Sequence, residues 1–93
     1  MTFDTPILLV AWRRPDKVAK VINSMRVIKP QNIYVACDGP IQNNPKELDK
    51  VLKTRMVIDR EIDWNYKSLK KLLSDNNKGC KEGVVSALNW FFE

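Results

Sequence analysis

The sequence predicts an α/β fold in which a short parallel sheet is built in the order βαβαβα, a three-layer, half-Rossmann-like arrangement. Two short runs, Pro6–Lys17 and Asn32–Pro40, open with apolar residues rich in Ile, Val and Leu. Such runs are typical of strands buried on both faces of a parallel sheet. Helical apolar spacing follows each run, which favours alternating strands and helices. The chain has 93 residues, enough for one small domain over positions 1–93.

The first helix is predicted to start at Arg14-Pro15-Asp16, because proline suits a first helical turn and an early acid suits the helix dipole. Lys29-Pro30 ends it. Its apolar positions recur at spacings of three and four: Val18, Val21, Ile22, Met25 and Ile28. The second strand then covers Ile33–Cys37.

The second helix is predicted to begin after Asn44, with Pro45 in the first turn and Glu47 three residues after the cap. It ends around Ile62–Trp64. Its periodic positions are Leu48, Val51, Leu52, Arg55, Met56 and Ile58.

The segment Tyr66–Leu73 fits two structures. Leu69, Leu72 and Leu73 suit a helix, whereas the break at 63–65 suits a new strand, and a strand is favoured. A polar loop over Ser74–Gly79 precedes the last helix. That helix has an apolar face made of Val84, Val85, Leu88, Phe91 and Phe92.

Composition excludes several classes of protein. Apolar residues make up 44% and charged residues 29%, which is ordinary for a globular domain and argues against disorder. The longest apolar stretch, Ile7–Trp12, is far shorter than the roughly 20 residues of a spanning helix, and no signal-type segment opens the chain. We therefore expect a cytoplasmic protein with no membrane partner.

The two cysteines indicate neither a metal site nor a nucleophile. Cys37 and Cys80 form no C-x-x-C pair and the chain contains no histidine, so zinc sites and Cys-His pairs are unsupported. Both are expected to be free thiols. General acid or base chemistry would have to come from carboxylates.

A ligand is expected at the carboxyl ends of the first two strands, where parallel sheets place their binding crevices. Trp12, Arg13 and Asp38 lie there. Four basic residues on loops of the same side would suit a multivalent anion: Arg13, Arg14, Lys78 and Lys81. Gly79 beside a helix start leaves backbone amides for an anion.

Simpler interpretations stand beside these. Asp38 before Gly39-Pro40 could be a turn former, Asn76-Asn77 a turn before the helix, and the basic residues a solvated face. Core or interface packing is the expected role of Trp64, Phe91 and Phe92, whereas Trp12 is the aromatic residue next to the ligand loop.

The chain also resembles a known family. The run ILLVAWRRPDK, the run IYVACDGP, the pair Asp63-Trp64 and the end DNNKGCKEGVVSALNWFFE look like the N-terminal part of GT-A glycosyltransferases of the family 2 type. The likeness covers nearly the whole chain. It depends on the order of the motifs: R-P after strand one, D-G-P after strand two, and N-x-G-C opening helix three.

The resemblance implies roles for named residues. The loop after strand one and the acid ending strand two would hold a nucleotide base and ribose. By position these residues are Ala11, Trp12, Arg13, Arg14 and Asp38. The backbone of Ala11 would frame the base edge. Asn77 and Gly79 would flank the nucleotide, and Lys81 would lie near phosphate.

The departures from the family are equally informative. Such enzymes carry a D-x-D-like motif after a fourth strand, which holds Mn or Mg on the diphosphate, and a later catalytic base. Neither motif is present, so this chain looks truncated before the metal motif, and no catalytic residue, metal ligand or cofactor is assigned to it. We expect a nucleoside-diphosphate-sugar-binding module that is not catalytic alone.

Two other functions compete with that one. In the resembled fold, strand one would pair with the missing fourth strand, so its exposed edge predicts a homodimer or other self-association through strand one or through Trp90-Phe91-Phe92. A ligand-free interaction protein derived from the fold is therefore an alternative. Net charge of +5 and a pI of about 9.4 suggest nucleic-acid binding, but no recognition motif accompanies the charge, which makes it the less favoured function.

Overall fold

A computed structural model describes residues 4–41, 44–77 and 79–93, with the backbone alone at positions 80 and 81. Its elements follow the predicted βαβαβα order. They are β1 (Ile7–Ala11), α1 (Pro15–Ile28), β2 (Asn32–Cys37), α2 (Pro45–Glu61), β3 (Ser68–Leu73) and α3 (Cys80–Phe91). The ambiguous third segment is a strand, and it begins two residues after Tyr66.

The three strands form one parallel sheet in the order β1-β2-β3. Ala11 lies opposite Cys37, and Cys37 lies opposite Leu73, so all three strands end level with one another. This alignment brings the loops that follow β1, β2 and β3 to one edge of the sheet. The predicted α/β class and its short parallel sheet are confirmed.

Helices cover both faces of the sheet, giving three layers. Because side chains alternate along a strand, Leu9, Val35 and Lys71 share one face. On that face, α1 and α2 pack against each other, and Lys71 pairs with Asp59 of α2. On the other face, Tyr34 makes edge-to-face contacts with Trp90 and Phe91 of α3.

The core lies between the sheet and the α1–α2 layer. Ile22, Ile33 and Val35 have no exposed surface. Trp64 belongs to the same cluster, as predicted, and its indole N–H donates to the carbonyl of Pro30 at 2.9 Å. Burying the ring while pairing its N–H avoids the cost of an unsatisfied buried donor.

Local chemistry sets the helix boundaries. The side chain of Asn44 accepts a hydrogen bond from the amide of Glu47 at 3.3 Å, which confirms the predicted cap of α2. Lys29 ends α1 in the left-handed region with φ of 48°, and its amide returns to the carbonyl of Met25. Helix α2 ends at Glu61, slightly before the predicted exit.

Two of the predicted helix faces are wrong in part. Leu48, Leu52 and Met56 of α2 are 45%, 48% and 66% exposed, because α2 packs through the neighbouring stripe that includes Val51 and Ile58. In α3 the side chains expected to pack are largely exposed: Val84, Val85, Leu88 and Phe92.

Small residues explain the orientation of α3. Ala87 is fully buried and Gly83 is partly buried, so the side of the helix with the least bulk lies against the sheet. A close approach of backbone to sheet is favoured where side chains are small. Apolar periodicity favoured the larger side chains Val84, Leu88 and Phe91, and it could not show that the sheet packs against the smaller residues beside them.

Among the described residues, no helix is long and apolar enough to cross a membrane.

Candidate functional site

A cavity of about 360 Å³ lies at the carboxyl ends of β1 and β2 and extends along β1 between α1 and α3. Its lining combines an apolar wall with a few charged groups. The charged members are Arg13, Arg14, Lys17 and Asp38. The apolar and small members include Leu9, Val10, Ala11, Trp12, Val18, Val21, Ala36, Cys37, Leu72, Gly79, Gly83 and Val84.

Asp38 follows the last residue of β2 and points its carboxylate toward α3. Its Oδ1 accepts a hydrogen bond from the amide of Gly39 at 2.8 Å, as a turn former would. Its Oδ2 lies on the α3 side, 3.4 Å from where a Cβ on Gly83 would stand. The turn contact and the side facing α3 therefore involve different oxygens of one carboxylate.

The carbonyl of Gly39 joins the three loops of the site. It accepts from the indole N–H of Trp12 at 3.0 Å and from the side-chain amide of Asn77 at 3.2 Å. Asn77 in turn accepts from the amide of Gly79 at 3.0 Å, which shapes the entry to α3. Trp12 and Asn77 are thus fixed by the protein's own backbone.

Arg13 is held by an ion pair rather than left in solvent. Its guanidinium donates to Glu47 at 2.5 Å and lies 4.4 Å from the centre of the Trp12 ring. The Glu47 side chain is only 9% exposed, and its Oε2 is buried without a hydrogen-bond partner among the described residues. Arg13 therefore organises the β1–α1 loop and compensates a buried carboxylate.

Arg55 makes a second long-range connection. Its guanidinium donates to the carbonyl of Ser74 at 2.7 Å and to the carbonyl of Asp38 at 3.4 Å. Those carbonyls belong to the loops after β3 and β2. The helical periodicity that includes Arg55 gave no sign of this role, because its partners are backbone atoms far away in sequence.

The surroundings of two glycines, Gly39 and Gly83, show where the backbone is closely packed and where space is left. A Cβ at Gly39 would lie 2.6 Å from the backbone nitrogen of Asn76 and from the carbonyl of Ser74, so only glycine fits. Among the described residues, the atom nearest to a Cβ placed at Gly83 is Asp38 Oδ2, at 3.4 Å. The space beside Gly83 is therefore part of the cavity, not a packing requirement.

Cys37 is buried at the base of the cavity as a free cysteine. Burial raises the pKa of its thiol above the usual value, while a hydrogen bond from Arg55 opposes that rise. A thiol kept protonated in this way is a poor nucleophile.

The structure brings most of the predicted site residues together. Ala11, Trp12, Arg13, Arg14, Asp38 and Gly79 line the cavity, and Asn77 braces it from the adjoining loop. The Ala11 carbonyl already accepts from the amide of Asp38 at 3.1 Å, and the Gly79 amide is engaged by Asn77. Lys78 and the side chain of Lys81 lie outside the described residues.

Lys17 and Gly83 were missed by sequence reasoning. Lys17 occupies the first turn of α1, directly after the loop that carries Arg13 and Arg14, and this closeness in sequence could have placed it on the cavity side. The sequence pointed less clearly to Gly83 than to Lys17, because its one unusual feature is that it is a glycine inside a predicted helix. In the described part of the chain, no three His, Cys, Asp or Glu side chains come together in a way that could hold a metal ion.

Comparison with family models, with curated proteins and with solved structures finds no significant match to this chain. The case for its function therefore rests on the cavity and its chemistry.

Proposed function

We propose that this protein binds a nucleoside diphosphate, as carried by a nucleotide sugar, in the cavity at the carboxyl ends of β1 and β2, and that it is not a catalyst by itself. The observation that carries the proposal is the composition of the cavity wall. One carboxylate and three basic side chains share it with apolar residues, at the position where parallel sheets bind ligands.

The cavity suits a ligand with a flat apolar body and a multivalent anion. Its volume of about 360 Å³ lies within the usual range for small-molecule sites, about 300–1,000 Å³. A base and ribose fit the wall made by Val10, Ala11 and Val84. The Oδ2 side of Asp38 would accept from a ribose hydroxyl or a base N–H, in a charge-assisted hydrogen bond.

The basic residues divide into two roles. Arg13 is committed to Glu47, so it positions Trp12 and the loop rather than the anion. Arg14 and Lys17 line the cavity and make no ion pair in the described part of the chain, so they would receive the diphosphate. This division refines the sequence interpretation, which treated Arg13 and Arg14 alike.

Gly83 supports the same site on independent grounds. Glycine inside a helix destabilises it by about 1 kcal/mol relative to alanine. No steric contact with the described residues demands glycine here, since the nearest of their atoms to a methyl placed at this position is in the Asp38 carboxylate. An open space kept beside a carboxylate is what a bound hydroxyl or base edge requires.

The test is a titration of the protein with UDP, GDP and dTDP, with and without Mn²⁺, followed by amide chemical shifts. The proposal expects saturable shifts that centre on Trp12, Arg14, Asp38 and Gly83. Random or non-saturating shifts, or none up to millimolar nucleotide, would overturn it. If inorganic pyrophosphate binds as tightly as the nucleotides do, the cavity is an anion site that does not recognise the nucleoside.

Asp38→Asn separates the ligand role from the turn role. Asparagine keeps an oxygen for the Gly39 amide, so the loop is preserved, while the carboxylate charge is lost. A hydrogen bond to a charged group is worth about 1.5–3 kcal/mol, so binding should weaken at least about tenfold. Asp49→Asn, at an exposed residue of α2, is the matched control and should bind as the wild type does.

A further inference from the structure

The two edges of the sheet are built differently. The β3 edge carries Lys70 and Lys71 within the strand, a common device against strand addition. The β1 edge reads Ile-Leu-Leu-Val-Ala and has no charged residue. Within the described ranges, no strand pairs with the outer side of β1. One edge is therefore protected and the other is suited to pairing.

The backbone of β1 offers its hydrogen-bonding groups outward at two residues. The Ala11 carbonyl accepts from Asp38 of the loop after β2, so Ala11 directs its backbone groups inward. Backbone groups alternate along a strand in a parallel pair. Leu8 and Val10 therefore direct their N–H and C=O groups away from β2, toward the outer edge.

Apolar side chains flank this edge on both faces of the sheet. Val10 is 47% exposed on the strand itself. Val21 of α1, on one face, is 46% exposed, and Val84 of α3, on the other, is 38% exposed. All three border the cavity proposed for the nucleotide, so an added strand and a bound nucleotide would compete for this edge, and the dimer is the form expected without nucleotide. An added strand would thus gain backbone hydrogen bonds and cover apolar surface on both sides.

We propose that the β1 edge is the interface for a second copy of this chain, which adds its own β1 antiparallel across a two-fold axis. Such pairing is isologous, because both copies contribute the same edge, and it closes after two copies. The register with the axis at Leu9 sets Leu8 opposite Val10 of the second copy, and the reverse. All outward groups of both residues are then paired, and the three-stranded sheet becomes twice as wide.

Charge favours the same orientation. Asp4 precedes β1 at one end, and Arg14 and Lys17 follow it at the other, all exposed. Antiparallel pairing brings the acidic end of each copy beside the basic end of its partner copy, which offsets part of the repulsion between chains of net charge +5. The axis also sets α1 beside α1 and α3 beside α3, so that Val21 and Val84 each approach their own counterpart.

Sedimentation of the full chain over a wide concentration range tests the proposal. The expected result is a reversible shift from 10.8 kDa toward twice that mass. Amide hydrogen exchange, measured over the same range, should slow at Leu8 and Val10 as concentration rises. A monomer throughout, or a dimer in which these two amides exchange at an unchanged rate, would overturn the proposal.

Substitutions locate the interface. Val10→Lys places two charges in the paired strands and should raise the dissociation constant at least about tenfold. Val27→Lys adds the same charge at a side chain that is 82% exposed on α1, and it should leave the dissociation constant of the dimer unchanged. Val10→Pro removes an outward N–H and should also weaken the dimer. Dimerisation that survives both Val10 variants, with circular dichroism showing that they fold, would refute strand pairing.

Discussion

Replacing Gly83 with alanine should make the protein more stable and a weaker nucleotide binder. Gly83 lies inside α3, and its amide donates to the carbonyl of Gly79 at 2.9 Å, so it is a regular helical residue. Alanine is favoured over glycine in a helix interior by about 0.8–1.0 kcal/mol. The new methyl would stand 3.4 Å from Asp38 Oδ2, an ordinary contact without strain.

The expected gain in stability is therefore close to the full helix-propensity difference. For a domain of this size, 1 kcal/mol raises the melting temperature by about 4–8 °C. The same methyl occupies the space beside the carboxylate in which a ribose hydroxyl or base edge would bind. Losing that hydrogen bond should weaken nucleotide binding at least about tenfold.

Thermal unfolding by circular dichroism and nucleotide titration measure the two effects on one variant. Asn89→Ala is the control, because Asn89 is exposed on α3 and does not line the cavity. It should stabilise α3 modestly and leave binding unchanged. A lower melting temperature for Gly83→Ala would show that the space beside Gly83 is not open. Higher stability with unaltered binding would show that the ligand does not contact Asp38 from this side.

Three further outcomes follow from the loops around the site. Gly39→Ala forces a Cβ to within 2.6 Å of backbone atoms and should cost about 1–3 kcal/mol in the free energy of unfolding, measured with urea; an unchanged midpoint would contradict the close approach. Glu47→Gln breaks the ion pair that holds Arg13. Because Arg13 is a third exposed, the free energy of unfolding should fall by about 1–2 kcal/mol, whereas Asp49→Asn, in an exposed ion pair, should lower it by less than about 0.5 kcal/mol. Equal decreases for the two variants would argue that the Glu47 ion pair is solvated. Burial raises the pKa of the Cys37 thiol in the folded state, so this thiol should react with an alkylating reagent only as fast as the chain opens. The free energy of unfolding should also fall as pH rises past the ordinary thiol pKa, because only the unfolded thiol ionises there. Fast labelling of Cys37 in a Cys80→Ser background would refute this.

The sequence predicted the elements because their signals are local. Apolar runs, the Asn44 cap and the Lys29-Pro30 stop each act within a few residues, and the observed boundaries lie close to them. The position of the cavity at the carboxyl ends of the strands also followed, since it depends only on element order and on parallel pairing. Asp38 and Trp12 line that cavity.

The partners of those residues could not be predicted in the same way. Arg13 contacts Glu47 and Arg55 contacts Ser74, at separations of 34 and 19 residues, and no local pattern encodes either distance. The orientation of α3 was missed for a related reason. The apolar side of α3 is broad, and only the shape of the sheet beneath it selects the part that carries the small residues Gly83 and Ala87.

The shared acceptor at Gly39 has a consequence for the thermodynamics of recognition. The Gly39 carbonyl oxygen accepts hydrogen bonds from Trp12 and Asn77, and Arg55 donates to backbone carbonyls in the loops after β2 and β3. The three loops that follow the strands are therefore ordered before any ligand arrives. A molecule entering the cavity then does not have to freeze them. Its binding loses little conformational entropy from the protein, and even a small number of polar contacts can produce selective affinity.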